Sequence, residues 1–161
     1  MWLHLNEMYN ELVPYNEVEH SQELANNISQ KYFKKYTNRL FPFSLLSKIN
    51  IEKNDLYLLR EKSKRKLTGM IVYRRKYLPF HEGFATYIYG VEVFKTFRGK
   101  GYGNELMELS LQHLKRRGIK TVYLAVDEKN KIAVQLYKKY GFTVVRTKGD
   151  TQLILKRKLH D

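Results

Sequence analysis

The hydrophobic pattern changes period several times along the chain, and each change predicts an element. Over 20–36, Leu24, Ile28, Tyr32, Phe33 and Tyr36 recur at helical spacing, which predicts a helix with Ser21 as its cap. A shorter apolar segment, 41–49, follows a break at Phe41-Pro42. From Asp55 the period becomes that of a strand. Apolar stretches at 56–59 and 68–73 flank the basic turn 62–66 and predict an antiparallel hairpin. A third strand, 85–94, follows the connector 79–83.

The second half alternates more regularly. A helix over 101–117 places Leu106, Met107, Ser110, Leu111 and Leu114 on one stripe, sets Lys115, Arg116 and Arg117 against its carboxyl end, and stops at Gly118. His113 falls on its exposed side. The near-continuous apolar run 121–126 predicts a buried central strand. A helix over 130–140 ends at Gly141, and strands at 142–146 and 152–155 finish the chain. The order ββ-β-α-β-α-ββ predicts a mixed α/β sheet. With no internal repeat and no Pro/Gly/Ser linker, 1–161 reads as one domain.

Composition narrows the chemistry. The 161 residues include no cysteine, which excludes disulfides, cysteine nucleophiles and thiolate metal sites. The five histidines lack metal-ligand spacing, so no metal is expected. No apolar run approaches the roughly 20 residues of a spanning helix, and the opening 1–7 lacks the basic start of a secretory signal. A cytoplasmic protein, monomer or homodimer, with no membrane partner is the expectation. The net charge is +14, unevenly spread. Residues 1–30 contain no Lys or Arg but carry Glu7, Glu11, Glu17, Glu19 and Glu23, a charge of −5 that leaves the remainder at +19. A basic body suits a polyanion, either nucleic acid or a phosphate-rich cofactor. The acidic start could attract a cation.

The segment from Val91 through Glu92, Val93, Arg98, Gly99, Lys100, Gly101 and Tyr102 to Gly103 is a strand, a basic glycine-rich loop and the amino end of a helix. Glycines let backbone N–H groups converge on one point, the helix's first turn adds unbonded N–H groups, and its dipole favours an anion. Arg98 and Lys100 add positive charge. The loop therefore predicts a phosphate or pyrophosphate cradle. It matches neither a Walker loop, since Gly103 is followed by Asn104-Glu105, nor the Gly-x-Gly-x-x-Gly dinucleotide fingerprint.

The pattern Arg98-x-x-Gly101-x-Gly103 is followed 27 residues after Gly103 by Asn130-x-x-Ala133-x-x-x-Tyr137-x-x-Tyr140-Gly141-Phe142. The pair resembles the two signature segments of the GNAT superfamily, the acyl-CoA-dependent N-acyltransferases. The resemblance implies a mixed, mostly antiparallel sheet with a central V-shaped splay between two strands, flanked by helices. It implies that the backbone of Val91, Glu92 and Val93 pairs with the pantetheine arm of acetyl-CoA and that main-chain N–H groups of Arg98 to Gly103 hold its pyrophosphate. Asn130 would contact the same molecule. Tyr137 matches the family tyrosine near the sulfur and would be the general acid.

The acceptor implied is a primary amine, on a small molecule such as a polyamine or on a protein. A general base does not carry over, because the positions where relatives place a glutamate hold Ala125 and Tyr87. Glu92 is a candidate base, with Asp127, Glu128, Glu82 and His81 behind it. Glu17, Glu19 and Glu23 are candidates for recruiting a cationic amine, or else simply favour the amino end of their helix. Two other readings stay open: a nucleic-acid-associated binding module, on the basic charge interleaved with aromatics, and an acyl-CoA sensor of the same fold without turnover.

Overall fold

The computed structural model describes residues 10–32, 54–81 and 83–159. A seven-stranded sheet runs in the order β1-β2-β3-β4-β5-β7-β6. Its strands are β1 (Glu11–Pro14), β2 (Asn54–Glu61), β3 (Lys66–Leu78), β4 (Gly83–Val93), β5 (Thr121–Asp127), β6 (Thr143–Lys148) and β7 (Gln152–Lys158), with helices α1 (Glu17–Asn27), α2 (Tyr102–Arg116) and α3 (Lys131–Lys139). All neighbouring strands are antiparallel except β4 and β5. This is the mixed sheet that the pattern predicts, with the mostly antiparallel arrangement that the resemblance implies.

Alternation along β3 defines the two faces of the sheet. Ile71 and Tyr73 pack into a large cluster with Leu106, Met107, Leu111 and Leu114 of α2 and with Val134 and Tyr137 of α3. Met70 and Val72 point the other way, onto Leu24 and Ile28 at the carboxyl end of α1. The four apolar α2 residues are almost fully buried, and each contributes roughly 1.5–3 kcal/mol by leaving water. Farther along that second face, Leu78, Ala85, Tyr87, Tyr123 and Ile154 form a third cluster.

The structure corrects three expectations. The first helix does not span 20–36: it starts at Glu17, capped by Asn16, whose Oδ1 accepts from the N–H groups of Val18 (2.9 Å) and Glu19 (3.2 Å). It ends at Asn27, with Ile28 extended at φ −129° and ψ 156°. The Asn27 side chain donates to the Glu23 carbonyl at 2.8 Å, the local competition that makes Asn a poor helix residue. Phe33, Tyr36 and the apolar segment 41–49 lie outside the described residues.

The second correction is β1, which no periodicity announced. Two apolar residues between a glutamate and a proline carry no period, and only pairing with β2 makes them a strand. The proline sits where it is tolerated, at the end of an edge strand. The third concerns His113, which is half-buried rather than exposed. Its ring lies 4.5 Å from Tyr57 and 6.2 Å from Tyr73, and burial, reinforced by Arg117 and Arg116, lowers its pKa.

Candidate active site

The site begins with a break in the sheet. β4 and β5 pair only through Thr86↔Val122, Tyr87↔Tyr123 and Ile88↔Leu124. Beyond Ile88, β4 continues through 89–93 on β3 alone, while β5 continues through 125–127 on β7 alone. The cause is visible in the register of β3 and β4. Val72 pairs with Gly90 but Tyr73 pairs with Ile88, so Tyr89 is an extra residue on β4. Such a bulge bends its strand and increases the local twist. It sits one residue beyond the last β4–β5 pair and turns the strands apart, leaving the V-shaped slot.

β4 leads into the glycine-rich loop at the wide end of the slot. A short 3-10 turn, Lys95–Phe97, precedes Gly99 at φ 75° and Gly101 at φ 86°, ψ 0°. Both glycines are left-handed, a conformation that costs other residues roughly 1–2 kcal/mol, and a Cβ at either would meet nothing within 4 Å. Gly101 occupies the cap position of α2 without a capping side chain. The Arg98 N–H is already engaged, donating to the Lys95 carbonyl at 3.4 Å. The N–H groups of 99–104 have no acceptor among the described residues, and the next, from Glu105, donates to Gly101. Six donors without an acceptor therefore stand at the amino end of a 15-residue helix, an arrangement suited to an anion.

The Arg98 side chain turns back from the loop. Its Nε donates to the Val93 carbonyl at 2.9 Å and its Nη2 to Glu92 Oε1 at 3.2 Å, which ties the loop to the end of β4. Glu92 is paired in register with Met70, so it lies on the α1 face, whereas Val91 pairs with Ile71 and packs on the α2 face. The carboxylate named as a candidate base is thus held by a guanidinium, on the face opposite Tyr137.

Tyr137 projects from α3 into the central cluster beside Phe142, with ring centroids 6.0 Å apart. It is 9% exposed, and burial pushes its phenol up to about 12. Its hydroxyl has no hydrogen-bond partner among the described residues. Asn130 caps α3, its Oδ1 accepting from Ala133 N–H at 3.2 Å. α3 is also fastened to the start of α2, since Tyr140 Oη donates to the Asn104 carbonyl and Lys139 Nζ to Asn104 Oδ1, both at 2.8 Å. Asn104 was not legible as a site residue, because its role depends on two groups 35 and 36 residues away.

The other carboxylates have local work. Glu23 Oε1 accepts from the Leu67 N–H at 2.9 Å, Glu11 pairs with Arg60, and Asp127 Oδ1 accepts from the Lys129 N–H. Glu19 is exposed beside His20, and Glu82 lies outside the described residues. His81 Nδ1 and Tyr123 Oη are 2.9 Å apart on the face that also carries Tyr87. Among the described residues, no cluster of His, Asp and Glu has the makings of a metal site, and no helix is long and apolar enough to cross a membrane.

The chain is similar to known proteins in sequence and in fold. The chain is 40% identical over 60 residues to a mycothiol acetyltransferase of Corynebacterium glutamicum, a match covering 37% of this chain and 20% of that protein. The chain thus spans about a fifth of the length of that curated relative. Its fold is similar to that of spermidine N-acetyltransferase from Vibrio cholerae, solved with CoA and spermine (TM-score 0.67, 15% identity, 93% and 95% of the two chains). It is also similar to a GNAT family acetyltransferase from Elizabethkingia anophelis solved with acetyl-CoA bound (TM-score 0.63, 15% identity, 92% and 97%). The family model described as Acetyltransferase (GNAT) family matches residues 5–142, most of the chain. With splay, glycine loop and capped tyrosine helix in one place, this chain belongs to the GNAT acetyltransferase family.

Proposed function

We propose that this chain, acting as a single domain, transfers the acetyl group of acetyl-CoA directly to a primary amine. The observation that carries this reading is the slot itself: two neighbouring strands part at Tyr89, and six unbonded N–H groups stand at the wide end. The Gly99–Gly103 amides bind the diphosphate, together with Asn104 and the charge of Lys100. The main-chain groups of Val91, Glu92 and Val93 that β3 and Arg98 leave free pair with the pantetheine arm, which replaces the missing strand. Asn130, with its Oδ1 committed to the helix, offers its amide N–H groups to the cofactor.

In the transfer step the neutral amine attacks the thioester carbonyl, the new C–N bond forms and the C–S bond breaks. A main-chain N–H beside the bulge stabilises the oxyanion. Tyr137 donates its proton toward the sulfur as it becomes a thiolate. Glu92 serves here as the anchor of Arg98 rather than as the base. An ordinary alkyl ammonium has a pKa of about 10.4, so deprotonation at pH 7 costs roughly 4–5 kcal/mol, and the proton leaves through water on the open face.

The test is calorimetric titration with CoA and acetyl-CoA, followed by thiol release in the presence of primary amines. Micromolar binding and amine-dependent release are expected. Binding without release from any amine would identify a sensor instead. RNA binding that falls steeply with salt, without CoA affinity, would identify a nucleic-acid module.

A further inference from the structure

A cofactor lying in the slot points its acetyl end toward the place where β4 and β5 part. Just past that point, on the face away from α2 and α3, lies a cavity of about 460 Å³ walled in part by Lys76, Phe80, Tyr87, Arg146 and Lys148. A second hollow of about 400 Å³ shares Phe80 and Arg146 and extends to Tyr123 and Lys156. These are small-molecule dimensions. Neither cavity is lined by an Asp or Glu among the described residues.

Three of the cations are positioned by aromatic rings. Lys76 Nζ lies 4.6 Å from the Tyr87 centroid, the Arg146 guanidinium 4.9 Å from that of Phe80, and Lys156 Nζ 5.8 Å from that of Tyr123. A ring face orients a cation without neutralising it. None of these three, nor Lys148, has an ion pair with a described carboxylate. The aim of Arg146 depends on a second bulge. Val144 pairs with Leu155 but Arg146 with Ile154, so Val145 is the extra residue, and Arg146 shares the face of Ile154, Tyr87 and Tyr123. Regular alternation from Val144 would have given it the face of Leu155, in the core.

We infer that the acceptor is a small amine that also bears an anionic group, a carboxylate or a phosphate, held by Lys76, Arg146 and Lys156. This deepens the acetyl-transfer reading and rests on it. A polyamine would meet like charge in these cavities, and Glu23, one of the three candidates to receive it, is already bonded to the Leu67 N–H. An anion on the acceptor instead meets positive charge held by aromatic rings, and its amine is left beside the apex of the slot.

The experiment compares thiol release from acetyl-CoA with ethanolamine, glutamate, phosphoethanolamine and spermine, using the whole chain. Glutamate or phosphoethanolamine is expected to show a KM at least about tenfold below that of ethanolamine, about 1.4 kcal/mol of preference. Which of the two wins distinguishes carboxylate from phosphate. The double variant Lys76→Gln, Arg146→Gln should erase the preference while its Kd for CoA stays within about twofold of the parent, a ratio worth only about 0.4 kcal/mol. Spermine or ethanolamine as the best acceptor, or a preference that survives the double variant, overturns the inference alone if CoA still binds. Loss of CoA binding in the parent chain overturns the acetyl-transfer reading and this inference with it. Calorimetry of glutamate and phosphoethanolamine against the CoA-loaded protein gives a readout independent of turnover, and absence of binding for both also counts against the inference.

Discussion

Tyr137→Phe removes one oxygen, and the structure sets what should follow. The ring stays packed on Phe142, and the lost hydroxyl has no described partner to orphan, so stability at neutral pH should change by no more than about 0.5 kcal/mol. The catalytic effect is larger. Burial holds the phenol at about 12, while a thiol ionises near 8.5, so complete proton transfer is uphill by about 3.5 pH units, or roughly 5 kcal/mol. The phenol therefore acts as a hydrogen-bond donor to the developing thiolate, which places it near the lower end of the 10²–10⁴-fold range of general acids. We expect kcat to fall about 100-fold, about 2.7 kcal/mol, with the acetyl-CoA KM within about twofold.

Alkaline unfolding supplies an independent check. A phenol at about 12 in the folded chain and about 10 in the unfolded chain favours the fold fully below pH 10. It loses that contribution, up to about 2.7 kcal/mol, as pH rises from about 10 to 12. The Phe variant should lack this part of the alkaline loss. Steady-state thiol release and denaturant melts at pH 7 to 12 make the measurement. A variant kcat within threefold of the parent would refute the role, and an alkaline limb near pH 8 that disappears with the hydroxyl would refute the burial-raised pKa.

Gly101→Val should cost about 1–2 kcal/mol of stability from its left-handed backbone, with nothing within 4 Å of its Cβ in the free protein, yet abolish CoA binding because the branched side chain crowds the amides; normal CoA affinity by calorimetry would remove the loop from the binding site. Gly69→Ala puts a Cβ 2.7 Å from the Glu92 carbonyl, so β3 and β4 must shift, and a loss of about 1–3 kcal/mol, read as a Tm lower by about 2–12 °C, is expected. Glu23→Ala leaves the Leu67 N–H without its acceptor and should cost about 1–3 kcal/mol in denaturant melts, with acceptor KM unchanged; a rise in KM at unchanged stability would restore the idea of an acidic recruiting surface.

Much of the architecture was legible in the sequence because it rests on local chemistry. The α2 stripe of Leu106, Met107, Ser110, Leu111 and Leu114 is buried as its spacing required, and Asn130 caps the helix that carries Tyr137. The glycine loop was readable because left-handed backbone at Gly99 and Gly101 favours a residue without a Cβ. By contrast, Ile28 ends α1 although it continues the apolar period, since Asn27 bonds to the Glu23 carbonyl and the chain turns extended.

Tertiary structure alone decided the rest, because registers between strands are not written in any one strand. The bulge at Tyr89 opens the slot, and it exists only as a mismatch between β3 and β4. The bulge at Val145 is likewise a mismatch between β6 and β7, and it alone carries Arg146 to the ring of Phe80. Glu92 and Tyr137 read along the chain as a possible base and acid, yet the pleat puts them on opposite faces and gives the carboxylate to Arg98. Single-residue periodicity specifies which side chains are apolar. Which face they share, and which charges are left without a counterion, follows only once the strands have chosen their partners.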